Sequence, residues 1–204
     1  FLQDGKILRP DGVPYQSRNW KTISTAYQAF LQDTFTMMDD RLTLNVGVRT
    51  PHIKRDFTNI ANEGFNSGVT YQIEKTYNDV LPQLGARYKL TADDQLYASV
   101  AKNMKAPPNF VFATTGTNVK LTNGVPSLVG DVKAETSVNI DVGIRHQTNK
   151  WIGSFNVYSI NFKDRQATAF DPTTVTSTLT NVGEVKNNGF EIEAGNTPIN
   201  GWSF

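Results

Sequence analysis

The chain has 204 residues, of which 38% are hydrophobic, 19% charged and 11% aromatic, and none is cysteine. Twenty Lys and Arg against nineteen Asp and Glu leave a formal charge of +1, without the basic surplus or stripe that nucleic-acid binding requires. Disulfides, zinc knuckles and thiol nucleophiles are excluded, and no apolar run nears the roughly 20 residues of a membrane-spanning helix.

A soluble β-protein and a membrane β-barrel stay open. Phe1 is not an initiator methionine and no charged-then-apolar signal segment follows it. Gly201 to Phe204 reads as a turn running into a new strand, so the expectation is a piece of a longer chain.

In chain order, the dominant signal is period-two alternation, the mark of strands with one apolar and one polar face. Ile23, Tyr27, Ala29, Leu31 and Phe35 oppose Thr22, Ser24, Gln28, Gln32 and Thr34. A tight turn at Met38-Asp39-Asp40 leads into Arg41–Arg49, where Leu or Val fills every even position. Pro51 to Asn78 reads as a long loop. Val80, Pro82, Leu84, Ala86, Tyr88 and Leu90 oppose Gln83, Gly85, Arg87 and Lys89, and a turn at Thr91–Asp94 precedes Leu96, Ala98 and Val100. A second long loop is predicted over Pro107–Asp131. Val132, Ala134, Val138, Ile140, Val142 and Ile144 then oppose Lys133, Glu135, Ser137, Asn139, Asp141 and Arg145. After the turn Thr148-Asn149-Lys150, the apolar phase of Trp151–Arg165 moves from Phe155 and Val157 to Ile160 and Phe162. A β-bulge near Tyr158 or Ser159 would produce that shift. A third long loop spans Thr168–Ser177, before Val182, Phe190 and Ile192 oppose Asn181, Asn187, Glu191 and Glu193. Asn196 to Gly201 closes the series as a polar turn. The count is about seven strands and the start of another.

Short polar turns at one end and long loops at the other are the pattern of outer-membrane barrels. Val132–His146 would extend roughly 45 Å at about 3.3 Å per residue, well past the 9–11 tilted residues or so that cross hydrocarbon. Phe35, Trp151 and Trp202 near the turns suit an interfacial girdle. Asp33, on the apolar phase, lies close enough to the turn to sit near the headgroups. The fold class that follows is all-β: a partial, antiparallel up-and-down transmembrane β-barrel of about seven to eight strands.

Leu81-Pro82-Gln83-Leu84-Gly85-Ala86-Arg87-Tyr88 leads to Leu96-Tyr97-Ala98-Ser99-Val100-Ala101-Lys102-Asn103-Met104-Lys105-Ala106-Pro107. Lys133-Ala134-Glu135-Thr136-Ser137 and Asp141-Val142-Gly143-Ile144-Arg145 follow, then Tyr158 to Arg165, Asn181-Val182-Gly183 and Asn188 to Glu193. In this order, from about Trp20 onward, the series resembles the barrel of TonB-dependent outer-membrane receptors of the ferric-siderophore group. The resemblance implies a barrel of about 22 strands with a plugged lumen, of which this would be roughly a third. It also implies periplasmic turns, extracellular loops, a bacterial outer-membrane location, and import of a ferric siderophore energised by TonB acting through the plug. The whole chain, residues 1–204, would be partial barrel, with 1–19 an extracellular loop segment and the plug domain absent. Cobalamin or an oligosaccharide are the alternative cargoes. A complete structural barrel of about eight strands, or a soluble β-barrel with an apolar interior, are the rival architectures.

Catalysis is poorly served. Only His52 and His146 are available, and no Gly-x-Ser-x-Gly elbow, phosphate loop or His-Glu-x-x-His motif occurs. Asp39-Asp40 and Asp93-Asp94 lack the spaced oxygens of a calcium loop and read as turns. No metal and no cofactor is expected. The partners expected are the lipid bilayer, the ligand and TonB, with no nucleic acid. Loops on a rigid barrel are the natural recognition surface, and Phe57, Phe65, Lys54 and His52 lie in or beside them. The ligand-binding candidates are Arg55, Tyr71, Phe110, Phe112, Lys120 and Phe170, each weighed against simple loop-to-loop packing. Arg49, Arg87, Arg145, Glu135, Glu191 and Glu193 are expected on the polar face, paired with one another or with the plug.

Overall fold

The computed structural model describes residues 2–3, 6–16, 18–63, 68–113, 118–130, 132–173 and 176–196. Seven long staves make one antiparallel sheet. A small hairpin, β1 (Leu2–Gln3) and β2 (Lys6–Ile7), precedes β3 (Trp20–Met37) and β4 (Leu42–Asn59). Next come β5 (Tyr71–Asn78), β6 (Leu81–Lys89) and β7 (Asp94–Lys105). A 3-10 turn (Asn109–Phe112) and the hairpin β8 (Val119–Thr122) and β9 (Val125–Leu128) lead to β10 (Glu135–Gln147) and β11 (Trp151–Lys163). The hairpin β12 (Gln166–Asp171) and β13 (Thr176–Asn181) precedes β14 (Val185–Asn196). The sheet order is β14-β11-β10-β7-β6-β4-β3, with β5 also on β4.

β5 and β6 are one stave in two pieces. Their pairing with β4 keeps a single register, from His52↔Asn78 to Arg49↔Leu81. The gap at Asp79-Val80 faces Thr50 and Pro51, and proline has no N–H to give to the ladder. β3 and β14 do not pair, so the sheet is open. The closed eight-stranded barrel is therefore not this fold. Nor is the soluble one: Val138, Ile140 and Val142 are 41%, 46% and 48% exposed, and Val46 is exposed as well. Among the described residues no second layer covers that face.

Three expectations about boundaries are corrected. Pro51–Asn78 is not a loop, since β4 continues to Asn59 and β5 begins at Tyr71. No bulge interrupts β11, whose register with β10 and β14 is unbroken. The stave after the second long loop begins at Glu135, and Val132 is buried in the loops. On β4 and β11 the apolar residues change face rather than the backbone changing course. Near the turns, apolar side chains occupy the outer face: Leu42 to Val48 on β4, Phe155 and Val157 on β11. Beyond that band the same face carries Thr50, His52, Lys54 and Asp56, while Ile53 and Phe57 take the opposite one. One strand thus serves an apolar surround at one end and a loop cap on its other face at the far end.

Tight turns join β3 to β4, β6 to β7 and β10 to β11 at one end. Met38, Asp39 and Asp40 take positive φ values of 59°, 52° and 63°, a conformation short polar residues such as Asp tolerate best. Thr91 Oγ1 accepts the N–H groups of Asp93 and Asp94 at 3.2 and 2.9 Å, and Thr148 Oγ1 those of Lys150 and Trp151 at 3.2 and 2.9 Å. The polar face is dressed by aromatics lying over glycines of the next stave. A Cβ on Gly143 would meet the Tyr97 ring and, at 2.6 Å, the Phe155 carbonyl, and one on Gly189 would meet Tyr158.

Candidate ligand-recognition surface at the loop end

The described parts of the connections within 106–134 and 164–184 come together over the polar face with Phe57 and Tyr71. Their centre is a cluster of Phe57, Tyr71, Val111, Phe112, Ala113, Val119, Val132 and Leu179. Phe57, on β4, is fully buried, and its ring centroid lies 5.6 Å from Trp20, 6.2 Å from Tyr71 and 6.3 Å from Phe112. These tilted arrangements are the favoured aromatic geometry. Pro107 and Pro108 favour an extended entry, after which Asn109–Phe112 makes a single 3-10 turn that drops Val111 and Phe112 into the cluster.

Side-chain amides then tie one connection to the next. Asn118 donates to the Leu179 carbonyl at 2.7 Å and accepts the Leu179 N–H at 3.0 Å. Asn181 accepts the Lys133 N–H at 2.9 Å and donates to the Asp164 carbonyl at 2.6 Å. Gln166 donates to the Lys105 and Lys133 carbonyls, each at 3.2 Å. Tyr71 donates to the Phe112 carbonyl at 3.0 Å, and Tyr77 to that of Val132 at 3.4 Å. Buried backbone groups in loops need such partners, and here the cap's polar side chains supply them. Two hollows of about 310 and 400 Å³ flank the Lys133–Asp164 pair.

The expected ligand-binding residues divide by depth. Phe110 is 40% exposed and Phe170 62%, and Lys120 on β8 is also exposed. Arg55 is half-buried, with Nη1 donating to Ser24 Oγ at 2.5 Å. Tyr71 and Phe112 are buried and hydrogen-bonded to each other, so they form the floor under the exposed residues. Phe57 belongs to that floor, and Phe65 lies outside the described residues, as does Trp202. Lys54 points to the outer face beyond the apolar band and pairs with Glu74 at 2.9 Å. That hydrogen bond raises the Lys54 ammonium above its ordinary pKa. His52 stacks on Tyr27 at 4.4 Å, while His146, at the turn end, meets Asp94 at 2.7 Å.

The six expected polar-face charges stand on that face, but among the described residues none pairs with another. Register explains it. Arg49 faces Phe30 and Leu81, Arg87 faces Thr43 and Tyr97, Arg145 faces Gln95 and Ser154, and Glu191 faces Asn156. Glu135 does face Lys105, yet its carboxylate accepts the Gln166 N–H at 2.8 Å. Sequence reading missed Asn118, Asn181 and Gln166, whose partners lie 61, 48 and up to 61 residues away. Nothing local marks them.

Residues 3–204 match the family model described as TonB dependent receptor-like, beta-barrel. The pesticin receptor of Yersinia pestis is 28% identical over 194 residues, which are 94% of this chain and 26% of that protein. The ferric yersiniabactin uptake receptor FyuA of Yersinia pestis superposes with a TM-score of 0.66 at 26% identity, over 95% of this chain and 27% of the other. The copper transporter OprC gives 0.66 at 19% identity, covering 89% and 28%. The unliganded ferric citrate transporter FecA gives 0.64 at 19% identity, covering 91% and 24%. At such identities the last two share the fold alone. The chain spans about a quarter of the length of these relatives.

Proposed function

The chain belongs to the TonB-dependent receptor-like β-barrel family, and we propose that it is the portion of a receptor barrel that takes up a ferric siderophore. Members of this family are transporters of the bacterial outer membrane rather than enzymes; they bind siderophores and other nutrients and interact with TonB. In this reading the apolar stripes of β3 to β14 face lipid, the tight turns are periplasmic, and residues 1–19 with the cap are extracellular. TonB supplies energy through a plug contributed from outside these 204 residues. Arg55, Phe110, Lys120 and Phe170 meet the ligand, and Tyr71 and Phe112 hold the surface beneath them in shape.

The likeness to the ferric yersiniabactin uptake receptor, along 95% of this chain, carries the siderophore reading. Long aromatic and cationic loops above a polar lumen support it, because ferric siderophores present aromatic and anionic surface. Growth and radio-iron uptake by cells relying on the full-length receptor under iron limitation test it. We expect iron-dependent growth, and roughly tenfold weaker ligand binding when Lys120 and Phe170 are both changed to alanine, as for hot-spot residues. Iron-independent growth with uptake of cobalamin or an oligosaccharide instead would transfer the assignment to another large nutrient.

A further inference from the structure

The wall of staves has a slot in it near the cap. The β6–β7 ladder ends at Gln83↔Ala101, and the next residue of β6, Pro82, has no N–H to donate. Above that point β5 pairs with β4, while 102–105 of β7 pair with β10 alone among the described strands. Between the two lies the hollow of about 400 Å³ beside the Lys133–Asp164 pair. Both of its walls belong to consecutive staves of this chain.

The rim of the slot faces outward. Thr76 and Asn78 stand on β5 opposite Lys54 and His52, and Met104 of β7 stands opposite Thr136 of β10. Register puts all four on the face of Val100, Val138 and Ile140. Nine residues, 137–145, separate Thr136 from His146 at the turn, close to the 9–11 or so tilted residues that cross hydrocarbon. The slot therefore opens where the apolar band stops, at the cap-side headgroup layer.

Its chemistry is mixed and balanced. Lys75 and Lys133 line it together with Asp79 and Asp164, which leaves no net charge to concentrate an ion of either sign. Ion pairs fix both ends. Lys102 Nζ lies 2.7 Å from Asp79 Oδ1, and Lys133 Nζ lies 3.9 Å from Asp164 Oδ1. Hydroxyl, amide, ammonium and carboxylate groups around one thioether suit a sugar ring, whose hydroxyls both donate and accept. Charged partners strengthen such bonds, and the volume falls within the range of small-ligand sites.

We propose that this slot holds a sugar ring from the headgroup of an outer-leaflet glycolipid, entering from the side while the acyl chains lie on Val100, Val138 and Ile140. This rests on the bilayer placement in the proposed function and is independent of the cargo.

For the test, the full-length receptor is stripped of lipid in detergent and titrated with a deep-rough lipopolysaccharide or with phosphatidylglycerol. Native mass spectrometry counts the bound lipid. The glycolipid is expected to fill one site about tenfold more tightly, the worth of a few hydrogen bonds. Asn78→Ala/Thr136→Val removes two polar contacts and Thr76→Trp fills the slot. Each should erase the advantage while heat resistance and phosphatidylglycerol binding stay parental. Equal binding of the two lipids, or an advantage that survives both variants, overturns the proposal. So does loss of heat resistance and of both lipids in both variants, which would make these residues structural. Competition by the free headgroup saccharide at the same concentration also overturns it, because the site would then take soluble sugar. A fluorophore on Val100→Cys, in vesicles of phosphatidylglycerol with brominated acyl chains, separates this proposal from the reading beneath it. Unquenched, it defeats the bilayer placement. Quenched without a glycolipid preference, it keeps that placement and defeats the slot alone.

Discussion

Phe57 ties stave to cap. It projects from β4 on the polar face, is fully buried, and touches Trp20, Tyr71 and Phe112, residues from three separate stretches of chain. A Phe57→Ala substitution should cost about 3–5 kcal/mol of local stability. Because the lower sheet does not share its contacts, amide exchange should rise across 109–113 and 71–73 while β10 stays protected. Equal deprotection of β10 would refute that separation. Gly143 makes a different demand. Its backbone lies under Tyr97 and against the Phe155 carbonyl, so Gly143→Val must move main chain. The assembled barrel should then lose heat resistance in electrophoresis, whereas the neighbouring Ile144→Val leaves it unchanged. The Lys54–Glu74 pair is exposed and matters less. Its raised lysine pKa means that its small contribution is fully present below the ordinary lysine range and fades as pH rises through the raised value.

At the scale of the element, a stave such as β4 or β11 is built in two phases. Its turn-side half displays Leu, Ile, Val and Phe outward, and its cap-side half turns the apolar side chains inward. Within the outward apolar band the two faces therefore answer oppositely to charge. Ile140→Arg, on the outward stripe, should destabilise the membrane-embedded barrel by roughly 2–4 kcal/mol, whereas Asn139→Arg, one residue away on the polar face, should cost less than 1 kcal/mol or so. Unfolding titrations in lipid vesicles measure both, and equal costs would contradict the assignment of faces. This two-phase design also marks what sequence could and could not read. The turn-side halves alternate cleanly, and the strands around Leu42–Val48, Leu84–Tyr88 and Val138–Ile144 lie where alternation puts them. The cap-side halves of β4 and β11 looked like a loop and a bulge because a change of burial face mimics a break in period.

At the scale of the molecule, the staves form an open sheet whose apolar side, among the described residues, carries no second layer and whose polar side is roofed by the loops. Lipid-soluble photolabels applied to the full-length receptor in its membrane should mark Val138, Ile140 and Val142 and spare Asn139 and Asp141. Labelling of both sets alike would remove the bilayer from the account. The roof is held by Asn118, Asn181 and Gln166, which reach from one connection to another.

The order of strands, the sorting of short turns from long loops, and the choice of outward side chains were dictated by local chemistry: period-two patterning and turn residues act over a few positions and can be read there. Which residues tie the loops together, and which of the expected ligand contacts lie exposed and which lie buried, came only with the fold. These depend on register between staves and on amide partners dozens of residues apart, and one-dimensional patterning carries no trace of either.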